Sequence, residues 1–125
     1  MKVLDSSVWL EVVTDGPLAA RCSEHLADLA EVVTPTVVLL EVYRVLRRQG
    51  RERAALRTVG EMEYTRIVSV DTHVAITAAD LSIEHGLAAV DALIYATAML
   101  EGCELVTADI DFRGLPGMTL VEAEA

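Results

Sequence analysis

Aromatic side chains make up only 4% of this 125-residue chain, lysine occurs once, at Lys2, and there are two cysteines and three prolines. So few aromatic rings argue against a stacking platform for single-stranded nucleic acid. Cys22 and Cys103 stand alone, with no CxxC and no Cys/His ligand spacing, so neither a zinc site nor a disulfide framework is indicated. Two buried thiols in a reducing compartment are expected. No apolar run reaches the ~20 residues that span a bilayer, and Asp5 interrupts "MKVLDSSVW" before an apolar region develops. Neither a membrane span nor a secretory signal is expected, and the cytoplasm is the expected location. No Pro/Gly/Ser-rich linker, repeat or low-complexity tract divides residues 1–125, which are read as one domain. Positive charge is also short: 20 acidic against 10 basic residues give a formal charge of −10. That balance argues against coating nucleic acid by bulk charge, so any contact with a polyanion must be local.

What is present is apolar and periodic. Hydrophobic residues account for 53% of the chain, ample for one core. A short strand "KVLD" leads into a helix at "SSVWLEVV", and Gly16 and Pro17 break it before a second helix over residues 17–30. A strand near Glu31 to Val33 precedes Pro35, which opens a helix from Thr36 to about Gln49, with Gly50 as its stop. Residues 51–65 read as a helix weakened by Gly60, "RIVSV" as a strand, and Asp71 as the start of the helix that follows. A helix from Asp91 to Glu101, the strand "CELVTA", a loop or single turn at "DIDFRGLPG" and a last strand "MTLVE" complete the chain. Strands alternating with helices predict an α/β fold on a mostly parallel sheet.

One residue sits oddly in this pattern. Glu41 interrupts the apolar run "TVVLLEVYRVL", and an ionised carboxylate is costly to bury unless it is paired, hydrogen-bonded or bound to a metal. In open parallel sheets, ligands sit outside the carboxyl ends of the strands. Asp5 ends the first strand and Asp109 follows the strand carrying "LVT", so these two acids are expected at one sheet edge. If the helices bearing Glu41 and Asp91 point toward that edge, four acids converge there. Taken singly, Asp5 fits an ordinary helix cap, Asp91 an ordinary first-turn acid, and Asp109 and Asp111 ordinary loop acids. A convergent site accounts for the set with one fold. Carboxylates without His or Cys partners suit a hard divalent cation such as Mg²⁺. His25, His73 and His85 sit in separate helical segments and read as surface or capping residues, so a histidine general base is not expected.

The ordered set "VLDSSVWLE", the isolated Glu41, "AAVDALIYATA" and "LVTADIDF" resembles the PIN domain, and within it the VapC toxins of toxin–antitoxin pairs. That resemblance implies a three-layer α/β/α fold with a mostly parallel central sheet and a Mg²⁺- or Mn²⁺-dependent endoribonuclease. It implies metal-binding acids at Asp5, Glu41, Asp91 and Asp109, supported by Ser6, Thr107 and Asp111. It further implies an RNA substrate, a VapB-like antitoxin and a homodimer. Six of the ten basic residues fall between Arg44 and Arg57, leaving that window at +5 and the rest of the chain at −15. Arginine's planar fork suits phosphate, and Arg44, Arg47, Arg48 and Arg51 are the candidate RNA contacts. Three other readings compete: a PIN-like module that binds without cleaving, a receiver-type domain, and a phosphatase of haloacid dehalogenase type suggested by "VTADIDFR". A receiver would need a lysine late in the chain, and the phosphatase motif lacks a hydroxyl or Val where Arg113 stands.

Overall fold

Short apolar strands followed by amphipathic helices fold here as the alternation predicts. The computed structural model describes residues 1–123. The described chain runs β1 (Lys2–Leu4), α1 (Ser6–Val13), α2 (Ala19–Ser23), β2 (Val32–Pro35), α3 (Thr36–Arg48), α4 (Glu52–Met62), β3 (Arg66–Val68), α5 (Thr72–His85), α6 (Ala89–Leu100), β4 (Glu104–Thr107) and β5 (Met118–Leu120). Among these residues the sheet has the order β3-β2-β1-β4-β5, and every pairing is parallel. From β1 the chain steps outward to β2 and β3, then returns to the other side of β1 for β4 and β5. With this strand order the right-handed rule for parallel crossovers assigns α1 to α4 to one face and α5 with α6 to the other, in keeping with three layers. The reversal falls between β1 and β4, which makes that crevice the topological switch point.

Burial follows the layers. All four residues of β2 and the last three of β4 are buried, as strands covered on both faces require, while the edge strands β3 and β5 are partly exposed. Helix α6 lies deep, with Ala92 and Ile94 to Ala98 buried. Its apolar side chains are largely absorbed inside the fold. Exposed apolar side chains lie instead at Met99 and Leu100 at its end, at Leu40 on α3, and at Ile76 and Ile83 on α5. Among the described residues no single helix is long and apolar enough to cross a membrane.

Several boundaries differ from expectation for local reasons. The helix expected over residues 17–30 stops at Ser23 and gives way to two 3-10 turns, Glu24–Leu26 and Leu29–Glu31. Ser23 returns its hydroxyl to Ala20 O, and the Asp28 carboxylate accepts from Ala30 N, so short polar side chains compete with the helix ladder. At the preceding turn a Cβ on Gly16 would crowd the Glu11 carboxylate, the far end of a flexible side chain that accepts from Leu18 N, so a larger residue there would displace that hydrogen bond. Helix α4 ends at Met62 rather than near Thr65, whose hydroxyl donates to Met62 O at 2.6 Å and accepts from Thr34. Cys22 is buried, and burial pushes its thiol up to about 11, leaving it unreactive. Cys103 is only partly buried, because it sits in the turn between α6 and β4.

Asp71 caps α5 as expected, accepting from Val74 N at 2.9 Å. Gly86 closes the same helix at φ +70°, in the left-handed region, and so sets where α6 begins. A Cβ at Gly86 would meet nothing within 4 Å, so a substitution there carries conformational strain alone. Gly86→Ala is expected to lower stability by roughly 1–2 kcal/mol, read as a falling melting temperature with an unchanged circular dichroism spectrum. An unchanged melting temperature would mean that the turn relaxes out of the left-handed region.

Candidate metal centre

Parallel pairing of β1 with β4 sets Leu4 opposite Val106, and Asp5 N extends the ladder by donating to Val106 O at 2.9 Å. That register brings the Asp5 side chain beside the residues leaving β4. Asp5 is only 2% exposed, and its carboxylate is well supplied with donors. Oδ1 accepts from Ser6 N at 2.8 Å, and Oδ2 accepts from the hydroxyls of Ser7 and Thr107, both at 2.8 Å. Two backbone amides fix the direction of those hydroxyls. Ala108 N donates to Ser7 Oγ and Asp109 N to Thr107 Oγ1, each at 2.9 Å, so both hydroxyl protons are left for Asp5.

Glu41 occupies the border of the buried stripe Val38, Val42 and Leu46 on α3. It is half-buried and not alone, because Ser6 Oγ donates to its Oε1 at 2.9 Å while lying 3.4 Å from Asp5 Oδ1. Ser6 thus ties two of the expected acids together. Asp91 stands in the first turn of α6, which starts at Ala89, two residues earlier than the sequence suggested. Asp109 caps the 3-10 turn Ile110–Phe112 by accepting from Asp111 N at 2.9 Å. Asp91, Asp109 and Asp111 each offer an oxygen within 4.8 Å of the other two. The tightest group therefore includes Asp111, to which sequence reasoning gave a supporting role. Asp5 and Glu41 lie beside this trio and are coupled to it electrostatically.

The charges press on one another. Burial first, then Asp5, Asp109, Glu41 and Asp111, push the Asp91 carboxyl up to about 6. Burial raises Glu41 as well, with Asp5 and Asp109 adding to it and the Ser6 hydrogen bond opposing. Burial also raises Asp5, against the hydrogen bonds from Ser7, Thr107 and Ser6 N. No basic side chain contributes to any of these three shifts. Carboxylates only, close together and without a cationic neighbour to settle them, fit a divalent ion of the Mg²⁺ or Mn²⁺ kind.

Ser7 is the residue that sequence reasoning missed. The only signal was the doubled serine after Asp5, and nothing local reveals that its partners lie 100 residues away. Arg44, Arg47, Arg48 and Arg51 are all exposed. Arg44 and Arg48 follow Glu41 by three and seven positions and share its face of α3. Arg47 lies to one side, bonded to Tyr43 Oη at 2.8 Å, 5.7 Å from that ring's centroid and 3.8 Å from Glu52. His25 sits in a 3-10 turn against Lys2, and His73 is exposed in the first turn of α5. Among the described residues neither hydrogen-bonds to the clustered acids. His85 is partly buried at the end of α5, its ring edge-on to Tyr95.

Comparison with known proteins agrees with this fold. Residues 2–117 match the family described as PIN domain. A toxin–antitoxin complex from Klebsiella pneumoniae superposes with a TM-score of 0.83 at 23% identity, covering 99% of this chain and 100% of that one. Mycobacterium tuberculosis VapC20, described as a Sarcin-Ricin loop cleaving toxin, gives 0.81 at 19% identity, covering 98% and 100%. FitAcB from Neisseria gonorrhoeae gives 0.73 at 22% identity over 89% of each chain. At such identities the likeness is one of fold. No curated protein matches the chain.

The raised Asp91 carboxyl makes a stability prediction for the metal-free protein. Its folded pKa of about 6 exceeds the ordinary value of 3.8, so the folded state keeps a proton that the unfolded state has released. Stability is therefore undiminished below about pH 4, falls as pH rises toward 6, and stays reduced above it. Asp91→Asn removes that loss. After discounting for solvent screening the gain is roughly 1–2 kcal/mol, larger than the 0.3–1 kcal/mol a first-turn charge lends to a helix dipole. In EDTA at pH 7.5 the variant is expected to melt a few degrees above the wild type, with the gap closing by pH 4, and added Mn²⁺ should stabilise the wild type more. A variant less stable at pH 7.5, with an equal response to Mn²⁺, would make Asp91 an ordinary helix-start residue.

Proposed function

The chain belongs to the PIN domain family, and from that premise we propose that it is a metal-dependent endoribonuclease, a VapC-like toxin that hydrolyses RNA phosphodiester bonds and is held in check by a small antitoxin protein. The observation that carries the reading is the convergence of Asp91, Asp109 and Asp111 within 4.8 Å, beside the hydroxyl-linked pair Asp5 and Glu41, at the sheet's switch point. Asp5, Glu41, Asp91 and Asp109 are the proposed ligand set, and Asp111 is close enough to join it. When bound, Mg²⁺ or Mn²⁺ supplies Lewis acidity toward the phosphodiester and lowers the pKa of water.

The chain's own residues do the positioning. Ser7 and Thr107 hold Oδ2 of Asp5, which leaves Oδ1, bonded to Ser6 N, as the oxygen with acceptor capacity to spare. Ser6 fixes Glu41, and the Asp109 turn fixes Asp111. Arg44 and Arg48, on the face of α3 that carries Glu41, are the proposed grips on RNA backbone next to the acids, with Arg47 and Arg51 at the flank. An antitoxin is proposed because the Klebsiella pneumoniae structure of the same fold is described as a toxin–antitoxin complex. A homodimer is proposed from the exposed Ile76 and Ile83 on α5. The PIN family match leaves the phosphatase and receiver readings without support.

Purified protein is expected to cut RNA with Mn²⁺ or Mg²⁺ and not with EDTA. Asp5→Asn and Asp91→Asn are each expected to lower that cleavage by ~100-fold or more, since even changing a residue that merely supports a metal ligand costs about 10–100-fold. Cleavage of the same bonds at comparable rates in either variant would sink the site.

A separate expectation concerns the arginines. Replacing both Arg44 and Arg48 by Ala should weaken RNA binding irrespective of sequence and flatten the slope of log K against log salt by up to about 1.8, taking ~0.9 per phosphate contact. An unchanged slope would assign that face of α3 to something other than phosphate.

A further inference from the structure

A cleft of about 340 Å³ opens directly beside the carboxylate trio, lined by His85, Gly86, Leu87, Ala88, Asp91 and Asp111. Two of its walls, Asp91 and Asp111, belong to the trio itself, so a group that fills the cleft lies against the acids. Its other walls are pre-formed. Gly86 N donates to Ser82 O at 2.8 Å, and Ser82 Oγ returns a hydrogen bond to Leu87 O at 2.6 Å, pinning the turn between α5 and α6. The His85 ring meets Tyr95 edge-on, with centroids 6.0 Å apart at 81°, and the Tyr95 hydroxyl is anchored on Pro116 O at 2.6 Å.

The cleft's size and chemistry select an occupant. It lies near the lower end of the ~300–1,000 Å³ typical of ligand pockets, room for one small group rather than a stack of bases. An apolar turn, an imidazole and two carboxylates make a surface for an unstacked base, of the kind that single-stranded RNA presents. The carboxylates accept hydrogen bonds only, which favours bases carrying an exocyclic amine over uracil. We propose that this cleft receives the one nucleoside flanking the scissile phosphate and prefers an amino-bearing base, with His85 and the Gly86–Ala88 turn as its walls. The proposal rests on the endoribonuclease reading and extends it to a subsite.

The test uses Ala88→Phe and His85→Ala. Ala88 is exposed and has extended backbone (φ −59°, ψ 152°), so a bulky side chain there is tolerated and fills the cleft without altering the acids. Fragment ends from a random RNA pool cut with Mn²⁺ are sequenced for wild type and both variants, alongside KM and Mn²⁺ affinity. The wild type should show adenine, cytosine or guanine over uracil at one position beside the cut. Ala88→Phe should raise KM by about tenfold, the worth of a lost base contact, at unchanged Mn²⁺ affinity, and His85→Ala should flatten the bias. Independently of cleavage, adenosine or cytidine at millimolar concentration should shift the amide signals of residues 86–88 in the metal-free wild type and not in Ala88→Phe.

An Ala88→Phe variant with unchanged KM and end pattern, or intact cleavage without any nucleoside-induced shift, overturns the subsite and leaves the nuclease reading standing. Nucleoside shifts in a wild type that cuts no RNA overturn the nuclease reading, and with it the subsite's place beside a scissile bond.

Discussion

A carboxylate buried at the end of a central strand is the constraint on which the site depends. Asp5 has lost nearly all of its water, and an unpaired charge there would be expelled or neutralised. What keeps it in place is a closed set of donors. The hydroxyls of Ser7 and Thr107 serve one oxygen and Ser6 N the other, and both hydroxyls are oriented by amides of the segment leaving β4. The same two amides set the backbone of Ala108 and Asp109, so the loop that aims Asp109 cannot shift without releasing Asp5. One hydrogen-bonded knot therefore fixes acids from opposite ends of the sequence.

The rest of the cluster is less well served. Among the described residues Glu41 has a single side-chain donor, Ser6, and Asp91 has no hydrogen bond to offset the desolvation and repulsion that raise it. A fold selected for stability alone would not gather five acids at one sheet edge with no cation among them. Repulsion of this kind is tolerable because the surrounding framework is stiff: β2, Val3 and Leu4 of β1 and Leu105 to Thr107 of β4 are buried, and α6 packs through Ile94 to Ala98. Local strain maintained by a rigid surround is how functional sites persist.

Much of this was legible before any coordinates, and the unread parts have a common cause. Strand and helix order followed from hydrophobic period, and Glu41 announced itself as the lone carboxylate in an apolar run. Asp5 and Asp109 followed from the rule that ligands sit beyond strand ends. Ser7 was not readable, because its role exists only through a β1–β4 register joining residues about 100 positions apart. The closeness of Asp111 to Asp91 likewise depends on a 3-10 turn capped by Asp109, which periodicity does not encode. The expected helix over residues 17–30 failed where Ser23 and Asp28 satisfied backbone groups locally. Period reads elements well; hydrogen bonds between distant segments are tertiary facts.

The net charge of −10 is less of an obstacle to a polyanion than the number suggests, because charges act through distance. At physiological ionic strength exposed charges more than about 8 Å apart are largely screened. A phosphate approaching along α3 responds first to Arg44 and Arg48, one and two turns from Glu41, while many of the chain's other acids lie on separate elements. The acids at the site itself are the exception, since they are close enough to repel a phosphate directly. A bound divalent cation would offset part of that negative field, so the same ion that relieves the strain among Asp5, Glu41 and Asp91 would also ease the approach of a phosphate. Metal-free protein should on this view be both less stable and less attractive to RNA, two properties with a single electrostatic origin.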